Sequence, residues 1–164
     1  MMIKLRGFAY LALLASLFVL MLVLTAAAET ISQQAKRERE RQLFFVGEQF
    51  RNAIASYYEN SPSGSKQFPK NFDVLLKDTR SIKPARHLRQ IYSDPITNNA
   101  AWGEVRNEFQ QIIGVYSLST ERVLITNIDS NIIMVDEGQG ILIYSALKFI
   151  YNPAQDNKQS EKDS

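Results

Sequence analysis

Between Phe8 and Ala28 the chain reads FAYLALLASLFVLMLVLTAAA, an uncharged stretch placed directly behind the basic leader MMIKLRG. At ~1.5 Å per residue a helix of that length covers roughly 30 Å, the hydrocarbon thickness of a bilayer. The stretch therefore reads as one membrane-spanning helix. The next thirty residues carry equal weight. From Glu29 to Tyr58 there is no proline, and the single glycine is Gly47. Within that run Leu43, Phe44, Val46, Phe50, Ile54 and Tyr57 recur at spacings of three and four, which lays an apolar stripe along an α-helix. The pattern predicts one helix from Phe8 to about Glu59, about 75 Å long. Its first half sits in lipid, and in its second half Leu43, Val46, Phe50, Ile54 and Tyr57 pack on a soluble domain.

The chain has 164 residues, so once the leader and span are set aside there is room for one small domain. Of its 19 Lys plus Arg, Lys4 and Arg6 lie in the leader, and the remainder balances the 17 Asp plus Glu. The net charge of +2 thus belongs to the leader. A folded part without a basic excess gives no reason to expect nucleic acid as a partner. With no cysteine in the chain, disulfides, thiol catalysis and Cys-type zinc sites are excluded.

The residues divide as a leader over 1–7, a transmembrane helix over 8–28, an amphipathic continuation over 29–60, a small α+β domain over 61–151 and a polar tail over 152–164 expected to be disordered. The charge run Lys36–Arg41 reads as a solvated stretch of helix. ENSPSGSKQFP, over 59–69, ends the helix in a loop. Asn71 caps a helix of about two turns running to Asp78, and a second short helical piece is expected over Ala85–Tyr92. Tyr92–Arg106 is a turn-rich connection holding Asp94-Pro95 and the sole tryptophan, Trp102, expected in the core or anchoring the loop. From Gln111 the period changes. QIIGVYSL, VLITNI, NIIMVD and ILIYSALKFIY, broken by STER, DSN and EGQG, predict an antiparallel meander of three or four strands.

Little in the chain points to catalysis. His87, the only histidine, stands beside Arg86 and Arg89, and two cations favour a neutral imidazole at the surface. No serine carries a hydrolase elbow and no phosphate-cradling loop is present. Asp136–Gly140, DEGQG, reads as a hairpin turn. The expectation is a protein that is not an enzyme and holds no cofactor.

The order of parts resembles the type IV pilins and the pseudopilins of type II secretion: a basic leader ending in glycine, then Phe8, then an uncharged span running into an amphipathic helix, then a small antiparallel sheet. The segments RERERQLFFVGEQFRNAIASYY, QFPKNFDVLLKD, RHLRQIYSDPIT and WGEVR, ending near IIGVYSLS, are similar to a branch of bacterial pseudopilin-like proteins and span about Arg37 to Ser119. The resemblance implies a pilin-like α+β fold and a prepilin peptidase cut between Gly7 and Phe8, with N-methylation of Phe8. It further implies a single-pass protein of the bacterial inner membrane with its soluble domain in the periplasm. Its partners would be other pseudopilin subunits, the inner-membrane secretion platform, the peptidase and lipid, and its role a structural subunit built in by lateral packing of the N-terminal helix.

Two features depart from the family. Pilins carry glutamate as the fifth residue after the cut, and here that position is Ala12; an uncharged span inserts readily but lacks one assembly contact, which suits a minor or tip-like subunit. After Ser119 the likeness fades. Major pseudopilins bind calcium in that region, and Asp129, Asp136 and Glu137 are present here without the spacing of a calcium loop.

The N-terminus has two rival readings. Ala26–Ala28 before Glu29 fits a signal-peptidase site, although the apolar core exceeds the usual ~7 to 15 residues. Alternatively the span is an uncleaved anchor. Either makes the chain a periplasmic binding or adaptor domain that forms no filament. Charge alone does not orient the span, since Lys36, Arg37, Arg39 and Arg41 lie beyond it as Lys4 and Arg6 precede it; an N-terminus inside is preferred because the later charges begin several residues beyond the span.

Overall fold

A computed structural model describes residues 4–62, 66–124, 132–134 and 142–154. Helix α1 extends over Lys4–Glu59 without a break. The chain divides into two compact units, Met1–Glu38 and Arg39–Ser164.

In the first unit Phe8–Thr25 is the one helical window, among the described residues, long and apolar enough to cross a membrane, and none of it is buried by the protein. Phe8, Leu13, Phe18 and Met21 are all more than half exposed. The two aliphatic hydroxyls in the window are satisfied within the helix: Ser16 Oγ donates to the Leu13 carbonyl at 2.8 Å and Thr25 Oγ1 to that of Met21 at 2.9 Å. A surface with apolar side chains outward and these hydroxyls turned onto its own backbone matches what lipid demands of a spanning helix.

The second unit is α+β. Its helical part presents Leu43, Val46, Phe50, Ala53, Ile54 and Tyr57, all buried, to a four-stranded sheet and the loops around it. The strands are β1 (Gly103–Arg106), β2 (Ile112–Tyr116), β3 (Ile132–Met134) and β4 (Leu147–Ile150), every pairing antiparallel. Leu147 and Phe149 are fully buried while Lys148 and Ile150 are half-buried, the alternation of a strand with one face on a core. Phe149 lies over Gly47: a Cβ built there would stand 2.5 Å from three atoms of the phenyl ring. Gly47, the one glycine of this stretch of helix, therefore sits where helix and sheet leave no room for a side chain. Further along, Phe50 meets Phe72 and Trp102, each at a centroid separation of 5.3 Å, and Tyr58 meets Phe68 at 4.5 Å.

Several expectations need correction. The strand order is β1-β2-β4-β3, so the sheet is no meander: the last strand inserts between the second and third. GEVR, expected within a connection, forms β1, paired with β2 through a register shift at Val105/Arg106. Helix α2 is a single turn, Asp73–Leu76, with Phe72 and not Asn71 at the N-cap; Asn71, one residue further out, accepts the Val74 N–H on its Oδ1 at 3.2 Å. Ala85–Tyr92 is not helical. There the N–H groups of His87 and Leu88 both donate to the Leu75 carbonyl at 2.9 Å, and Ala85 bridges Asp78, so the backbone donors that a helix would use are already committed across the loop. Val123 and Leu124 are not in a strand; the rest of VLITNI, the DEGQG turn and the tail beyond Ala154 lie outside the described residues.

Candidate functional site

Gly7 and Phe8 both fall within α1, and the Phe8 side chain is 72% exposed. The five stripe residues Leu43, Val46, Phe50, Ile54 and Tyr57 lie in the core of the second unit, far in sequence from that pair. The pair and the stripe belong to different compact units. The polar groups of the second unit hold its part of α1 to the sheet and loops.

The first of these groups closes the end of α1. Asp78 and His87 are buried, with side chains 5% and 3% exposed, which corrects the expectation of a surface histidine. Arg80 grips both oxygens of Asp78 with Nε at 3.0 Å, and Nη2 also reaches Asp78 Oδ2 at 2.7 Å. The same Nη2 donates to the Tyr57 carbonyl at 2.7 Å, Nη1 donates to Ser61 Oγ at 2.8 Å, and the guanidinium lies 3.4 Å from the centre of the Tyr57 ring. A carbonyl in the last turn of a helix has no partner within it, and Arg80 supplies one. These Arg80 hydrogen bonds hold the Asp78 carboxyl down at about 2, against the opposing effect of burial. Burial raises the Tyr57 phenol, with Arg80 working against it.

Ser56, His87 and Asp78 look like a nucleophile, a base and an acid, but hydrogen-bond logic assigns them another task. An ionised Asp78 only accepts, so His87 Nε2, 3.2 Å from Oδ2, carries the proton. His87 Nδ1 lies 2.8 Å from Ser56 Oγ in a hydrogen bond, and Ser56 Oγ accepts from Asn60 Nδ2 at 3.2 Å. With both carboxylate and imidazole closed off from solvent, the chain of bonds ties the helix end to the loop beyond α2.

Glu40 is the second group. It belongs to the charge run expected to be solvated, yet it is fully buried. Its Oε1 accepts from Tyr144 Oη at 2.6 Å and from the Leu124 N–H at 2.5 Å. Burial, and after it the hydrogen bond to Glu40, pushes the Tyr144 phenol well above the ordinary tyrosine range. Helix spacing held the clue, because Glu40 stands three residues before Leu43 and so on the stripe.

Asp94 is the third. Also fully buried, it accepts from the Ile96 N–H at 2.9 Å, Thr97 Oγ1 at 2.9 Å and Ser117 Oγ at 2.7 Å. The Trp102 Nε1 donates to the Tyr92 carbonyl at 2.8 Å, so the tryptophan both fills the core and anchors the loop. Beside this loop and α1 is an open cleft of about 420 Å³ lined by Gln42, Phe45, Val46, Ile91, Tyr92 and Pro95, among others.

No three acidic or histidine side chains converge as a metal site among the described residues, and Asp129, Asp136 and Glu137 lie outside them. The fold defines an α+β domain carried by a helix whose N-terminal portion is suited to a single membrane pass. No family model, no characterised protein and no solved structure matches the chain.

Proposed function

We propose that this chain is a pseudopilin-like structural subunit of a type II secretion or type IV pilus-like filament, with a pilin-like fold and a soluble domain on the periplasmic side of the inner membrane. The observation that carries the reading is α1 itself: one helix, Lys4–Glu59, exposes an uncharged apolar surface over Phe8–Thr25 and supplies the core stripe of a small antiparallel domain further on. A helix built this way serves assembly. The apolar portion dissolves in lipid before incorporation and packs against equivalent helices after it, while the domain rides on the same element. Prepilin peptidase would cut between Gly7 and Phe8, and Phe8 would become the methylated N-terminus. Ala12, uncharged, fits a minor subunit.

N-terminal sequencing of protein extracted from membranes tests the processing: a chain beginning at Phe8 supports the proposal, and one beginning at Glu29 overturns it in favour of an exported domain. Cysteines placed at Leu14 and Leu17 test the assembly. The chain has none of its own, and oxidation should give ladders of subunits rather than monomers.

A further inference from the structure

The β1–β2 hairpin ends in a turn that is closed by its own hydrogen bonds. Asn107 Oδ1 accepts from the N–H groups of Phe109 at 3.0 Å and Gln111 at 2.9 Å, while the Asn107 N–H donates to the Gln111 carbonyl at 2.9 Å. Arg106 Nη1 donates to the Gln110 carbonyl as well. Gln110 takes φ of 58°, a left-handed conformation that such a turn requires. At the tip of this fixed loop Phe109 is 79% exposed. An aromatic ring held out on rigid backbone has already lost most of the freedom that binding would remove, which is the property of an interface anchor.

The same domain carries a receptacle. In the cleft beside α1, Phe45 is 61% and Ile91 38% exposed, with Val46, Tyr92 and Pro95 making up the apolar half of a lining whose other half is polar. At about 420 Å³ it has room for an aromatic side chain and part of the turn behind it. The two features lie at opposite ends of the domain's helix. The hairpin starts at Trp102, against Phe50, and advances to Ile113, whose carbonyl accepts from Tyr151, a neighbour of Tyr58 and Glu59. The cleft is built on Gln42, Phe45 and Val46, so Phe45 lies about 20 Å before Glu59 along the helix. Charge is matched too: exposed Glu108 precedes Phe109, and exposed Arg89 precedes Gln90 at the cleft.

We propose that Phe109 of one copy docks in the Phe45–Ile91 cleft of a second copy, with Glu108 facing Arg89. The contact joins two different surfaces, so it repeats head to tail without closing and builds an open chain. It rests on the filament reading and names the soluble-domain contact that such a filament would use.

The test mixes two differently tagged full-length proteins in detergent, one carrying Glu108→Cys and the other Gln90→Cys, positions that leave the ring and the apolar lining intact. Oxidation is expected to give mixed-tag dimers at least about tenfold over same-tag dimers, and Phe109→Ala on the first copy to remove that excess. Because Phe109 is exposed, this variant should melt like its parent, and the melt separates lost docking from lost folding. In cysteine-free protein, Glu108→Arg should weaken self-association, and adding Arg89→Glu to the same chain should restore it. Mixed-tag dimers no more abundant than same-tag ones would overturn the docking. If ladders through Leu14 and Leu17 still form in that case, only this inference fails. If mixed-tag dimers form without those ladders, the docking stands and the filament reading fails.

Discussion

Replacing Gly47 by alanine sets two effects of known size against each other. In an exposed helix the change stabilises by roughly 1 kcal/mol, because glycine pays more backbone entropy than alanine. At Gly47 the new methyl would stand 2.5 Å from Cγ, Cδ1 and Cε1 of Phe149, at least about 1 Å inside ordinary carbon contact. These are atoms at the base and flank of a ring that is itself fully buried on the central strand β4, so no free end can swing away. Overpacking of this kind costs about 1–3 kcal/mol. The expected outcome is a net loss of up to about 2 kcal/mol, and Gly47→Val should lose more.

The assay is denaturant unfolding of the full chain in detergent, monitored by the fluorescence of Trp102, the sole tryptophan and a buried neighbour of Phe50. Phe149→Leu is the partner change. It should cost stability alone but make Gly47→Ala less harmful, giving a coupling of about 1 kcal/mol or more in the double-mutant cycle. If Gly47→Ala stabilises the protein by about 1 kcal/mol, as on an open helix, the close approach of helix and sheet is refuted.

Other perturbations probe the polar ties and the core. Asp78 titrates at about 2 when folded, below its ordinary value of 3.8, so it adds stability above pH 4 that is lost as the pH falls through about 2. The difference is worth about 2 kcal/mol at roughly 1.36 kcal/mol per pH unit, and Asp78→Asn should flatten the acid limb of a stability-against-pH curve. Arg80→Ala leaves the Tyr57 carbonyl with only the longer bond from Ser61 Oγ at 3.3 Å, and Asp78 buried with its main partner gone; a loss of about 3 kcal/mol in chemical denaturation is expected. Tyr144→Phe removes one of the two donors that buried Glu40 has among the described residues, for a loss of about 1–3 kcal/mol in the same measurement. Phe50→Asp would bury an unpaired charge against Phe72 and Trp102, so the domain should fail to fold and Trp102 emission should be that of a solvated indole.

Whatever repeats was legible in the residues. The span is uniform over many positions, and the stripe from Leu43 to Tyr57 keeps one period over four turns, so each is stated many times over. The α+β class came from the change of period at Gln111. Strand order was not legible, because alternation marks a strand as having a buried face but does not say which strand lies beside it. β1 escaped notice because its four residues include Gly103 and sit among turn formers, and its partner β2 decides its conformation. The buried polar groups were hidden for a related reason. Asp78, His87 and Arg80 meet only once the loop after α2 folds back on the helix end, and nothing local in RHLRQ announces a tertiary hydrogen bond. Glu40 could be found by continuing the stripe one step toward the N-terminus; Asp94 could be found from the turn chemistry of SDPIT, in which a side-chain oxygen takes the N–H two residues on.

The order of the sheet has a consequence for biosynthesis. β4, which lies between β2 and β3 and covers Gly47 with Phe149, is the last of the four strands to be synthesised. Until Leu147–Ile150 is delivered, the hairpin of β1 and β2 has an open seam and the helix an uncovered notch. A chain clipped before Leu147 therefore lacks both the strand that fills this seam and the ring that covers Gly47, however well its earlier parts are formed.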